Sequence, residues 1–277
     1  MSVVADLHTH TTISDGTFSL PDLVATAREE GLSAVAVTDH DRYHPDLSVP
    51  VERRDGLLVV RGIELRVDAG PERVDLLGYG LTETDALTAE VERLQQDRID
   101  RGRRIVENVE AELGVDIGIE PHEGLGRPHI ARAVVESDAD YDTIGAVFDD
   151  LIGDDGPCYV AREVPDFETG RELLADACAF VGLAHPLRYD DPEAALELTA
   201  DLDAVERYYP YDRPVSPDDP DSLDPRPVEA AIAEHDLLAT GGTDAHEDEL
   251  AVDGLPQAAW ERVRERLPEA VSLAESN

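Results

Sequence analysis

Short runs of branched and apolar residues alternate along the chain with segments that are apolar on one face only. SVVADLH is followed by PDLVATAREEG, LSAVAVTDH, LLVVRGIE and RVDLLGYGL, and later come RELLADACA, FVGLAHP, PVEAAIAEH and LLATGGTDAH. Strand and helix in repetition predict parallel βαβ units. The first helix has clear bounds, with Ser19 as its N-cap, Pro21 just inside its start and Gly31 just past its end. Between Thr82 and Gly156 the pattern turns mostly helical, with Leu87, Val91, Leu94, Ile105 and Val109 at helical spacing among many charges. That change predicts a helical insertion at residues 82–156, capping a barrel made of residues 1–81 and 157–277. The stretch from Tyr208 to Pro227 carries so much Pro and Asp that it reads as a long loop.

A chain of 277 residues is long enough for such a barrel and buries roughly three-quarters of its unfolded surface. Its charge is extreme: 23 basic residues, all Arg, face 63 Asp and Glu, for a formal net charge of -40. The carboxylates are spread among periodic apolar residues that make up 42% of the chain, so a folded protein with an acidic surface is expected rather than a disordered acidic tail. Near 1 M salt the Debye length falls to about 3 Å, which screens such a surface from itself. The expectation is a salt-accumulating, halophilic cytoplasm. No basic leader precedes the first strand, and no uncharged apolar stretch has the length of a membrane span. Cys158 and Cys178 lack CxxC spacing and read as small buried residues.

Candidate chemistry gathers at predicted strand ends. In DLHTH, His8 and His10 are two apart on a strand and leave it on one face. Asp15 follows in SDG, His40 closes AVAVTDH, Glu64 closes LLVVRGIE, His185 closes FVGLAHP, and Asp244 with His246 close LLATGGTDAH. A parallel barrel builds its active site at the C-terminal ends of its strands, and scattered core histidines would not fall there. Imidazole and carboxylate without thiolate suit divalent ions such as Mn, Zn, Fe or Mg. Ions that share carboxylates suit phosphate ester hydrolysis, because they neutralise phosphate charge and lower the pKa of a bridging water, the hydroxide nucleophile. No GxSxG elbow or P-loop is present.

In order, DLHTHTTISDG, TDHD, GIE, GRPHIA, AHP and GGTDAH resemble the PHP (polymerase and histidinol phosphatase) domain of the amidohydrolase superfamily over nearly the whole chain. The resemblance implies an α/β fold, a distorted (β/α)7 TIM-like barrel with a helical insertion. It also implies two or three bound divalent metal ions, phosphoesterase activity and the ligands His8, His10, Asp15, His40, Glu64, His185, Asp244 and His246. The stand-alone branch that looks most similar includes 3',5'-nucleoside bisphosphate phosphatases and an exoribonuclease. Where that branch usually carries His, RVDLLGYGL has Asp75. Asp75 is either a further metal ligand or a carboxylate beside the ligands.

GRPHIA places Arg127 and His129 at a helix start, where free N–H groups meet an anion or where the chain is simply capped. The resemblance assigns them to the substrate phosphate. The mechanism expected from these residues has the metals and Arg127 with His129 stabilise the phosphoryl charge, while His129 protonates the leaving oxygen and Asp244 exchanges a proton with the bridging water. Arg162 and Arg188 are further candidates for the substrate phosphate, with a solvated surface Arg as the other reading. Tyr208, Tyr209 and Tyr211, after Glu206, either wall the pocket or pack. His44, His122 and His235 read as surface or loop residues. The expectation is a cytoplasmic phosphatase for a small phosphorylated metabolite or nucleotide, such as a 3',5'-bisphosphonucleoside, with no membrane and no obligate protein partner. The rivals are a 5'-to-3' exonuclease on short oligonucleotides and a non-catalytic metal-binding module.

Overall fold

Val35 and Val37 of the AVAV run face one way and Ala34 and Ala36 the other, and all four are buried. The alanines belong to the cluster with Ala5, Leu77, Tyr79 and Ala204, while the valines pack with Leu20, Leu23 and Ala27 of the first helix. A strand covered on both faces is what a barrel wall requires, with small side chains filling the narrow interior.

The structure is a computed structural model that describes residues 2–122, 125–219 and 221–272. Pro220, in the Pro- and Asp-rich loop, and the end of the expected barrel segment at 273–277 lie outside the described residues. From β1 (Ala5–Asp6) the chain passes through α1 (Leu20–Glu29) to β2 (Ala34–Val37), parallel to β1. Ser19 caps α1 by accepting from the Asp22 N–H, and Gly31 follows at φ 75°. Next come β3 (Val51–Arg54), β4 (Leu57–Asp68) and β5 (Arg73–Tyr79), then the helices α2 (Asp85–Leu113), α3 (Arg127–Glu136) and α4 (Ile144–Val147). The return runs through α5 (Phe167–Ala177), β6 (Phe180–Leu183), α6 (Pro192–Glu197), β7 (Ala204–Tyr208), α7 (Arg226–His235), β8 (Leu238–Gly241), α8 (Gln257–Arg266) and β9 (Val271–Ser272).

The chain divides into two compact units, Met1–Thr88 with Pro165–Asn277, and Ala89–Val164. The first carries the sheet in the order β1-β2-β4-β5-β6-β7-β8, with β3 paired to β4 off this path and β9 paired to β3. Backbone bonds bring its ends together: the Leu7 N–H donates to Gly241 O at 3.0 Å, and the Asp244 N–H to His8 O at 2.8 Å. This closure depends on the GG pair. A Cβ on Gly242 would stand 2.3 Å from His8 N, and one on Gly241 would stand 2.4 Å from Tyr208 O. The second unit has its own core, in which Ile105 and Val109 of α2 meet Ile130 and Val134 of α3, Val147 of α4, and Leu151.

Three expectations are corrected. The sheet is not purely parallel, because β5 is antiparallel to both β4 and β6. Only residues 69–72 separate β4 from β5, far too few for a parallel crossover. Glu64 does not close its strand, since β4 continues four residues further to Asp68 as the hairpin partner of β5. Asp75 lies near the start of β5, opposite Arg66 of β4. Reversal of the strand brings that start to the Glu64 end of the barrel. His44 is in a loop but only 4% exposed, its Nδ1 accepting from the Asp46 N–H.

Candidate metal centre

His8 and His10 lie just beyond β1, in extended chain tied to both sides: Thr38 N–H donates to Thr9 O, and the His10 N–H to Ala245 O. Both imidazoles are fully buried. His40 follows β2 and bridges to Glu64, His185 follows β6, and Asp244 and His246 follow β8. Asp15 sits on a turn that Asp39 fixes, accepting from the Thr11 N–H at 2.8 Å and from Ser14 Oγ–H at 2.6 Å.

Three donor groups result, each with ligand atoms within 4.8 Å of one another: His10, Asp15, His40 and His246; His8, His10, Glu64 and Asp244; and Glu64, Asp75 and His185. Glu64 joins two of them, its Oε1 standing 3.4 Å from His8 Nε2 and 3.2 Å from His185 Nε2, and its Oε2 2.7 Å from His40 Nδ1. Asp244 Oδ1 is 3.1 Å from His10 Nε2 and 3.4 Å from His8 Nε2. Asp15 Oδ1 is 3.4 Å from His246 Nε2. Asp75 Oδ2 is 3.8 Å from His185 Nε2 and 3.7 Å from the Arg66 guanidinium.

These residues fit divalent cations. His8 Nε2 and Asp15 Oδ1 are buried without a hydrogen-bond partner among the described residues, an expensive state for polar atoms unless a ligand meets them. Burial alone would lower the His8 imidazole, but Asp244, Glu206 and Glu64 outweigh it and hold it well above its ordinary value. Burial pushes the Glu64, Asp244 and Asp15 carboxyls up, yet facing imidazoles more than reverse this and keep all three low. Burial and neighbouring His40 lower His10. The charge that would hold a proton on His8 attracts a divalent cation by the same Coulombic force, and metal binding displaces such protons.

Partners behind the donors set their orientation. Glu206, fully buried on β7, lies 3.1 Å from His8 Nδ1 and accepts from the His185 N–H at 2.7 Å. It thereby turns His8 Nε2 toward Glu64 and Asp244. Asp6 accepts from the N–H groups of Thr243 and Ala251, and burial pushes its carboxyl up to about 6 despite those bonds. His185 and Asp244 have φ of 29° and 56°, a left-handed conformation costly for side chains other than Gly and typical of functional sites.

A cavity of about 250 Å³ opens onto these donors and is also lined by Arg66, Arg188 and Tyr189. Arg188 donates to Tyr209 Oη at 2.7 Å and to Asp244 Oδ2 at 3.2 Å. The remaining sequence candidates, Arg127, His129 and Arg162, belong to the helical unit. There Arg127 donates to Asp154 and to Ile152 O, and His129 Nδ1 accepts from the Gly126 N–H.

Sequence reading passed over Glu206, Asp39, Asp6 and Arg66 as site residues. For Glu206 the signal was there, a carboxylate directly after the apolar start of β7, AVERY.

The PHP domain family matches residues 6–174. The chain is 27% identical over 201 residues to a 3',5'-nucleoside bisphosphate phosphatase of Chromobacterium violaceum, covering 69% of this chain and 70% of that one. It is 26% identical over 192 residues to a 5'-3' exoribonuclease of Haemophilus influenzae, covering 67% and 69%. A Bifidobacterium adolescentis structure provisionally described as a metal-dependent phosphoesterase superposes with a TM-score of 0.73, at 23% identity and 96% coverage of both chains, which supports the barrel fold.

Proposed function

The chain belongs to the PHP domain family and so to the metal-dependent phosphoesterases, and on that premise we propose that it removes phosphate from a small monoester such as a 3',5'-bisphosphonucleoside. The observation that carries the reading is the sharing of Glu64 and His10 between donor groups, the arrangement expected of adjacent cations acting on one phosphoryl group. Bound cations would supply charge neutralisation and an activated water.

The chain's own residues do the rest. Asp244 Oδ2 is fixed by Tyr209 and Arg188, leaving Oδ1 toward the donors. Its strongly ionised carboxylate orients the attacking water by accepting its proton in a hydrogen bond. Arg188 is placed to meet phosphoryl oxygens in the cavity. His129, whose Nδ1 accepts from the Gly126 N–H, is the proposed proton donor to the leaving oxygen, with Arg127 and Arg162 as anion contacts.

A second reading, stepwise hydrolysis of short oligonucleotides, has similar identity to an exoribonuclease in its favour. Phosphate release in high KCl with Mn, from 3',5'-bisphosphonucleosides, histidinol phosphate, mononucleotides and a 5'-phosphorylated short RNA, separates the two. Release concentrated on one small compound supports the phosphatase, and mononucleotide release from RNA alone overturns it. Replacing His8 and His10 together by Ala should abolish turnover and metal binding, and unchanged turnover would remove the site assignment.

A further inference from the structure

Arg66 lies two residues beyond Glu64 on β4, so both side chains leave the strand on the same side, toward the cavity they both line. Its neighbour across the hairpin is Asp75. The guanidinium is 3.7 Å from Asp75 Oδ2, beyond hydrogen-bond distance, and it makes no side-chain hydrogen bond among the described residues. It is 43% exposed while Asp75 is 7% exposed, so the carboxylate is sunk among the donors and the guanidinium stands above it at the cavity wall. Arg188, by contrast, is tied to Tyr209 and Asp244. An arginine that served only to neutralise Asp75 would be expected to close a bidentate pair with it, and this one does not.

The geometry points to an anion subsite in which Arg66, facing Arg188 across the same cavity, binds a non-bridging oxygen of the substrate phosphoryl group and selects monoesters over diesters. The inference rests on the phosphoesterase reading above. A monoester phosphoryl group offers three non-bridging oxygens and two negative charges, and a diester offers two oxygens and one charge. Where cations at the donor groups engage two oxygens, a further guanidinium finds a partner only in the monoester.

The test compares the wild type with Arg66→Gln and Arg66→Lys on p-nitrophenyl phosphate and bis(p-nitrophenyl) phosphate, in Mn and high KCl. Bound metal is measured by elemental analysis and inorganic phosphate affinity by equilibrium dialysis. For Arg66→Gln the expected result is a roughly 10–100-fold fall in kcat/KM for the monoester, the loss of one charge-assisted hydrogen bond. The diester rate should change less than threefold, metal content should stay the same, and phosphate should bind more weakly, with Arg66→Lys in between. Equal losses on both esters, reduced metal content with unchanged phosphate affinity, or unchanged phosphate affinity alone would overturn the subsite. A wild type that hydrolyses neither ester, yet loses phosphate affinity with Arg66, would defeat the phosphoesterase reading while upholding the anion subsite.

Discussion

The hydroxyl of Tyr209 donates a 2.8 Å hydrogen bond to Oδ2 of Asp244, the carboxylate whose other oxygen faces His8 and His10. Both residues are nearly buried, so little water competes for that bond. Burial and the Asp244 charge hold the phenol above its ordinary range, so it stays a donor throughout the working pH range. Tyr209→Phe removes the donor and keeps the ring. The expected effect is a loss of about 1.5–3 kcal/mol of positioning, read as a roughly tenfold or greater fall in kcat/KM. An unchanged rate would show that Arg188 alone fixes Asp244.

Glu206 serves the His8 ring with one oxygen and the His185 N–H with the other. Glutamine has a single acceptor oxygen, so Glu206→Gln forfeits one of the two bonds. Metal affinity should fall about 10–100-fold, the usual consequence of disturbing such an orienting partner, and titration with Mn followed by calorimetry measures it. Equal affinity in the variant would deny Glu206 this role.

Cys178 bears on pH. Burial pushes its thiol up to about 12 from an ordinary value of 9.0. A raised thiol means the fold keeps its proton longer than the unfolded chain does, so its contribution to stability is intact below about pH 9 and declines as pH rises toward 12. At pH 8 alkylation by iodoacetamide should be far slower in the native protein than in urea, and comparable rates would contradict the burial.

With a formal charge of -40, self-repulsion in dilute buffer should fall as KCl rises to about 1 M and the Debye length shrinks to about 3 Å. Melting temperature should climb across that range. A flat or falling melting temperature would remove the inference of a salt-rich setting.

Much of the fold was legible because the chain writes its barrel locally. Apolar runs mark the strands, Ser19, Pro21 and Gly31 bound α1, and the HxH and GGTDAH segments stand where the sheet closes. The reversal of β5 was not legible, since a strand reads the same in either direction and only the short link from Asp68 to Arg73 betrays it. The donor groups were foreshadowed by their positions at strand ends. The side chains behind them were not, because Glu206, Asp39 and Asp6 act on residues distant in sequence, through contacts that only the closed sheet creates. Arg66 was overlooked because the run LLVVRGIELRVD reads as ending at Glu64, whereas the strand continues past it.

The seam between β1 and β8 has a consequence for synthesis. The donors span His8 to His246, and the strands that hold them join through Gly241 and Gly242, late in the chain. A nascent polypeptide can stack its early strands and form α1 while still on the ribosome, but it has no complete metal-binding chamber until nearly its whole length has emerged. Premature termination therefore leaves no partly working enzyme, and capture of metal comes at the end of folding rather than guiding its start.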